Sequence, residues 1–411
     1  MRKEISDSAI QQVAKHINER NNKNYHIPII GNEQNPETPQ YFEIIDFGNI
    51  DTSDRKFYAV DGSSNNQEFY NGLSIGVYTA GYICFHRGKQ LRVNDLDDPI
   101  ILGKSYFPNN ILIGQQSDKF AIYDELLEKQ PVKEFLSFLG NNPEEIFAYK
   151  KEIVCANTSK LLSFCQEILE WSLVFEIANR QEIGKGDMIL RDGSLRSLEI
   201  KQEFLVKLAK FLHEKEIYII AITKRSPIKM ELSYTFRQID NYLQEQYKYR
   251  FPFQNTNPAR QKIGCWFEVP DTVLENAYKG DMYARKGIKG GRGFGLFFAA
   301  RLDYVEKLQN YDWVIADINI FDAVTNVEEH GNKGERDPHK LKELFVELTR
   351  LTQEHYILGY PYPLVEAHNF VSLKKDFKEE IINRVKLALY QDQRMDNVDI
   401  ENLFVDEHER F

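Results

Sequence analysis

This sequence predicts a mixed α/β fold, one sheet with helices laid against it and a helical insertion. Three observations carry the prediction. Short alternating stretches cluster between Phe57 and Phe85, the period of half-buried strands. Between Gly186 and Ile222 an apolar run, an amphipathic stretch and a second apolar run succeed one another as strand, helix and strand. Residues 118–182 keep a helical pattern with few glycines.

Taken in chain order, residues 6–20 read as an amphipathic helix, with Ile10, Val13, Ala14 and Ile17 at helical spacing behind Ser6 and Asp7 as a cap. Residues 21–55 are polar and rich in Pro and Asn, a surface excursion. Phe57-Tyr-Ala-Val60 is a short strand that stops at Asp61-Gly62-Ser63. Leu73, Ile75, Val77 and Thr79 begin a second strand reaching Phe85, and the Arg87-Gly-Lys turn leads to a third extended stretch. Three antiparallel strands are expected, with Asp61 at the end of the first. After the helices of 118–182, Gly186–Arg191 is a buried strand ending at Asp192-Gly-Ser. A helix follows with Ile200, Phe204, Leu208, Phe211 and Leu212 on one face, then the strand Ile217–Ile222. Strand-like runs recur at Gly264–Val269 and Gly295–Ala300. Residues 338–356 and 363–390 are helical, the second entered through Pro361 and Pro363. The expected organisation is residues 1–56 as N-terminal helix and polar excursion, 57–390 as the main domain with 118–182 as its helical insertion, and 391–411 as an acidic tail. That last stretch holds seven acids against two bases and reads as solvated.

Composition narrows the function classes. Hydrophobic residues at 42% and charged residues at 28% are ordinary globular usage, which argues against a disordered chain. The longest apolar runs, such as Ile217–Ile222, fall far short of the ~20 residues that span a bilayer. No apolar core of a secretory signal follows Met1, and Cys84, Cys155, Cys165 and Cys265 lack metal or disulfide spacing, so a soluble cytoplasmic protein without membrane association is expected. The formal charge of −10 is the wrong sign for coating nucleic acid by bulk charge. Any such activity must come from local features. A Walker A loop is missing, so ATP-driven movement would have to come from a partner.

Several features can carry chemistry. Asp-Gly-Ser occurs at Asp61 and at Asp192, each behind an apolar strand, where α/β sheets form ligand sites. Asp-Gly is also an ordinary turn signal. Glu176 lies in the apolar run Ser172–Ile177, either as an exposed helix position or as a buried carboxylate that needs a partner or metal; Glu170 competes with it. His368 sits among Leu364, Val365, Ala367 and Phe370, as a core histidine or a ligand. Arg285, Lys286, Lys289 and Arg292, interleaved with glycines, are a candidate phosphate-binding loop or a solvated one, flanked by Tyr283 and Phe294. Gly72-Leu-Ser-Ile-Gly76 matches the nucleophile-elbow pattern, but Ser74 opens a strand instead of a strand–turn–helix.

Ala59–Ser63, Leu190–Leu195 with a glutamate on the preceding helix, Ala221–Ser226 and Gly359–His368 occur in that order, and as an ordered set they resemble the NurA nuclease family. The resemblance runs from about Phe57 to Leu373. It implies an RNase H-like fold, a homodimer, and a manganese-dependent deoxyribonuclease (magnesium as second choice) with 5′–3′ exonuclease and single-strand endonuclease activity. DNA is the implied substrate, and a HerA-type hexameric ATPase the implied partner in end processing, for repair or phage defence. Carried over by motif, Asp61, Glu176, Asp192 and His368 are the metal-site residues. Tyr360 is an active-site tyrosine and Lys224 a phosphate contact. Such chemistry needs an activated water and charge stabilisation on attacking and leaving oxygens, which two divalent ions roughly 3.5–4 Å apart supply. Three carboxylates and an imidazole suit manganese better than zinc. Two alternatives stay open: an inactive RNase H-like module that binds DNA or the ATPase, and an unrelated hydrolase using Ser74.

Overall fold

The computed structural model describes residues 7–21, 42–46, 53–69, 71–95, 97–239, 263–278, 293–305, 310–325, 335–353, 359–373, 375–392 and 396–405. The basic stretch Arg285–Arg292, Tyr283 and most of the polar excursion at 21–55 lie outside them. The fold is mixed α/β, with a mostly antiparallel nine-strand sheet flanked by helices. Its strands, together with two short ones paired off the main path, are β1 (Phe42–Asp46), β2 (Lys56–Glu68), β3 (Ser74–His86), β4 (Lys89–Leu91), β5 (Lys104–Tyr106), β6 (Leu112–Ile113), β7 (Met188–Asp192), β8 (Tyr218–Thr223), β9 (Ile263–Glu268), β10 (Gly295–Val305) and β11 (Asn310–Asn319). The chain divides into two compact units. One comprises Met1–Asp54, Arg191–Arg196 and Tyr218–Tyr362, and the other Arg55–Leu190, Ser197–Ile217 and Pro363–Phe411.

The second of these units is organised by the β2–β3 hairpin. Its antiparallel register runs unbroken from Lys56↔His86 to Glu68↔Ser74, so β2 does not stop at Asp61. The Asp-Gly-Ser turn signal is overridden because β3 offers a partner at every position, and each unpaired backbone group would otherwise be buried without a hydrogen bond. The chain turns later, through Gly72 at φ +81°. β4, β5 and β6 each pair with β3, which is buried along nearly its whole length. The helix Thr158–Ala178 packs on β2 and β3. It is apolar on most sides, which is the pattern of a helix inside a core instead of on a surface. Asn157 caps it, accepting from Lys160 N at 2.7 Å.

The 363–390 helix of the sequence is two helices, Tyr362–Val371 and Lys375–Asp392. The acidic tail is also revised in part. Residues Asn397–Leu403 form a helix capped by Asp396, and Ile400 and Phe404 are buried against Phe69 and Ile75. Two apolar side chains among the acids were enough to dock it.

In the other unit the hydrogen-bonded order is β1-β9-β10-β11-β8, antiparallel throughout. Alternation along β9 sends Cys265 and Phe267 to one face and Trp266 to the other, and both faces are covered. Phe267 meets Phe236 and Trp313, the last two stacked at 4.3 Å between ring centroids. Trp266 stacks at 4.8 Å on Phe345 of the Pro338–Gln353 helix. The N-terminal helix Asp7–Asn21 forms as expected, yet Ile10 and Val13 remain more than half exposed.

Candidate metal centre

Asp61 lies inside β2 and is almost fully buried. Its Oδ1 accepts the Gly62 amide at 2.8 Å, and its Oδ2 is 2.9 Å from His368 Nδ1. The histidine projects from the Tyr362–Val371 helix, where Pro363 stands in the first turn and cannot disturb the helical hydrogen bonds. The end of that helix is tied to the same motif, because the Leu373 amide donates to Ser63 Oγ at 3.2 Å. Asp61 is enclosed while the imidazole is 55% exposed, so the pair has a closed side and an open side.

Gly62 explains why the motif carries glycine in a strand. A β-carbon there would stand 2.4 Å from Glu170 Oε1, so only a bare backbone lets this carboxylate approach the residue after Asp61. Glu170 is 4% exposed and also accepts from Gln166 Nε2 at 2.9 Å.

Asp192 ends β7, a strand that belongs with β2 through Leu190. Here the second Asp-Gly-Ser is a true turn, with Gly193 at φ +115°. The Gly193 amide donates to the Ile222 carbonyl at 3.1 Å, and its own carbonyl accepts from Thr223 Oγ1. The Tyr360 hydroxyl lies 3.1 Å from Asp192 Oδ1 and 3.0 Å from the Ile222 carbonyl oxygen, sharing one proton between two acceptors. Lys224, exposed beyond the end of β8, holds its ammonium 3.8 Å from the centre of the Tyr360 ring.

Asp61 and His368 stand together in one compact unit, Asp192 belongs to the other, and all three carry ligand atoms that a divalent ion takes. Two carboxylates and an imidazole are a donor set for a hard or borderline divalent ion such as Mn²⁺ or Mg²⁺. The 2.9 Å contact between Asp61 Oδ2 and His368 Nδ1 is a hydrogen bond, and both residues are of the type that would hold such an ion.

Glu176 is not in this group. Its oxygens accept from Tyr82 at 2.9 Å and Tyr106 at 3.0 Å, and Lys104 Nζ lies 3.0 Å from Oε1. Arg180 in turn donates to the Tyr82 hydroxyl at 2.9 Å. Burial pushes the Tyr106 phenol up to about 12, with the Glu176 charge adding to it. Burial would lower the Lys104 pKa, but hydrogen bonds to Asp95 and Glu176 hold it raised overall. The structure thus separates the two glutamates six residues apart on one helix, Glu170 towards the Asp61 motif and Glu176 into a tyrosine–lysine cluster.

Ser74 is a strand residue, buried, with its hydroxyl 3.4 Å from that of Thr158. No turn or helix follows to expose it as a nucleophile elbow requires. Phe294, one of the aromatics flanking the basic stretch, is fully buried, so it is packed and not presented to a base. Sequence reading missed Asp317, a fully buried carboxylate of β11 that accepts from Ser194 Oγ and the Leu195 amide. An acid inside the apolar run Trp313–Ile318 was the signal for it.

A family model, the NurA domain, matches residues 55–373. The chain belongs to the NurA family. The matched NurA domain begins just before β2 and ends at Leu373, so it contains every residue of the centre described above. Solved structures similar to the chain include the NurA nuclease from Sulfolobus solfataricus, at 16% identity and TM-score 0.42, covering 94% of this chain and 95% of that one. A second NurA structure has 13% identity and TM-score 0.36 over 96% and 99% of the two chains. A NurA bound to dAMP and manganese has 13% identity and TM-score 0.31 over 85% and 90%. No curated protein matches the chain. Among the described residues no helix is long and apolar enough to cross a membrane.

Proposed function

We propose that this chain is a metal-dependent deoxyribonuclease that hydrolyses phosphodiester bonds at DNA ends. The observation that supports the reading is the NurA domain itself, with the Asp61–His368 pair and the Asp192 turn both inside its matched span. These three residues hold a divalent ion, with manganese favoured over magnesium because an imidazole joins the two carboxylates. A bound divalent ion lowers the pKa of coordinated water and offsets charge on the leaving oxygen. Around it the chain's own groups divide the remaining work. Tyr360 restrains Asp192 by its hydroxyl, and the Lys224 ammonium, exposed beside that ring, is placed to contact a backbone phosphate. Glu170 is the additional carboxylate brought to the Asp61 motif, available if a second ion takes part in an RNase H-like, two-metal arrangement. The basic stretch Arg285–Arg292 adds phosphate contacts. Digestion in the 5′–3′ direction, single-strand endonuclease action, a homodimer and a HerA-type hexameric ATPase partner complete the reading.

The test is degradation of 5′- and 3′-labelled DNA with Mn²⁺, Mg²⁺ or chelator. Parent protein should cut with metal only, and Asp61→Asn, Asp192→Asn and His368→Ala should each lose at least about a hundredfold in rate while staying folded. Glu170→Gln should lose far more than Glu176→Gln. A fully active Asp61→Asn, Asp192→Asn pair, or chelator-resistant cutting, would reject the metal-dependent reading. Calorimetry without any heat on Mn²⁺ titration would point to the inactive binding module instead.

A further inference from the structure

We propose that Asp317, a residue of β11 outside the ligand group, is the positioning residue that fixes the loop carrying Asp192; this rests on the metal-dependent reading above.

The side chain is 1% exposed, yet it carries a carboxylate in the middle of an apolar strand. One of its oxygens does most of the work. Oδ2 accepts from Ser194 Oγ at 2.8 Å and from the Leu195 amide at 2.9 Å, and Arg196 Nε stands 3.8 Å away. Three consecutive residues that begin two positions after Asp192 are thereby held by one acid. Arg196 is itself buried, its guanidinium 4.3 Å from the centre of the Phe297 ring and donating to the Gly295 carbonyl at 3.3 Å. From the other end Arg191 donates to the Ser194 carbonyl. The turn is closed around its backbone.

Two further observations separate this from an ordinary loop anchor. Oδ1 has no hydrogen-bond partner among the described residues, although burying an unmatched carboxylate oxygen is unfavourable by some kcal/mol. The neighbouring strand makes room for it, since a β-carbon on Gly295 would fall 1.8 Å from that oxygen. A neutral acceptor would satisfy the loop with less desolvation. The role is geometric: one acceptor oxygen gathers the Ser194 hydroxyl and the Leu195 amide and so fixes the backbone that follows Asp192. Groups of this kind behind metal ligands typically change metal affinity 10–100-fold when removed.

The experiment measures Mn²⁺ binding by the loss of the free-ion electron paramagnetic resonance signal, alongside the thermal midpoint of metal-free protein. Variants are Asp317→Asn, Asp317→Ala and Ser194→Ala, with Asp187→Asn as a control, because Asp187 is a comparably buried acceptor for the Lys56 and Gly184 amides. Asp317→Ala should bind Mn²⁺ about 10–100-fold more weakly, and Ser194→Ala about threefold to tenfold more weakly. Asp317→Asn, which keeps an acceptor oxygen, should recover most of the affinity, and Asp187→Asn should move the midpoint but not the affinity. Should Asp317→Ala fail to fold, Ser194→Ala decides. Parent-like Mn²⁺ affinity in folded Asp317→Ala and Ser194→Ala, with the parent binding normally, overturns the positioning role alone. A parent that binds no Mn²⁺ overturns the metal reading and this proposal together.

Discussion

Gly62 and Glu170 form the most restrictive contact at the site. A methyl group at position 62 meets Glu170 Oε1 at 2.4 Å, and the glutamate cannot retreat freely because it is buried and held by Gln166. Gly62→Ala should therefore displace that carboxylate without touching Asp61 chemically. The expected outcome is a folded protein with about tenfold weaker Mn²⁺ binding, read by calorimetry; unchanged binding would remove Glu170 from the site. The same pair shows what was readable residue by residue. Asp61, Asp192 and His368 stand in short motifs, which is why the sequence alone puts them forward as ligands. The choice between Glu170 and Glu176 was not legible, since both lie on the apolar helix Thr158–Ala178 and differ only in which neighbour they face. Helical spacing places them about 600° apart, hence on different sides, but cannot say which side holds the aspartate.

At the scale of elements, the Glu176 cluster makes a pH prediction. The Tyr106 phenol has its pKa raised from 10.0 to about 12 in the folded chain, so the folded state holds this proton more tightly than the unfolded one. Its stabilisation is fully present below pH 10 and is lost as pH rises towards 12. Urea midpoints should fall across that window, and the fall should be shallower in Tyr106→Phe. The docked C-terminal helix makes a second prediction. Ile400 is fully buried against Phe69 and Ile75, so Ile400→Ala should destabilise the protein by about 2–4 kcal/mol in urea. A solvated tail would show no change. That helix was hidden because net charge dominated the reading of 391–411, whereas docking needed only two apolar positions. β2 was misjudged for a related reason. Asp-Gly-Ser signals a turn only where no partner strand competes, and the long β3 supplies one.

For the whole molecule, the proposed metal site links ion binding to folding. A ligand that binds only the native chain stabilises it by RT ln(1 + [L]/Kd), about 2.7 kcal/mol at a hundred times Kd. The thermal midpoint should accordingly rise on adding Mn²⁺ and return with chelator in the parent. In Asp61→Asn the rise should shrink markedly. An identical rise in both would show that the stabilising ion binds elsewhere.

The sequence by itself determined the fold class and most strands and helices, and it proposed three ligand side chains, because periodicity and short motifs are local properties of the chain. Tertiary structure alone decided which glutamate faces Asp61, that β2 runs on through its Asp-Gly-Ser, and that an acid on β11 braces the second such loop. Those facts depend on contacts between residues as much as 123 positions apart, as with Ser194 and Asp317. Cross-strand pairing and burial select among local options that the residues themselves leave equally open.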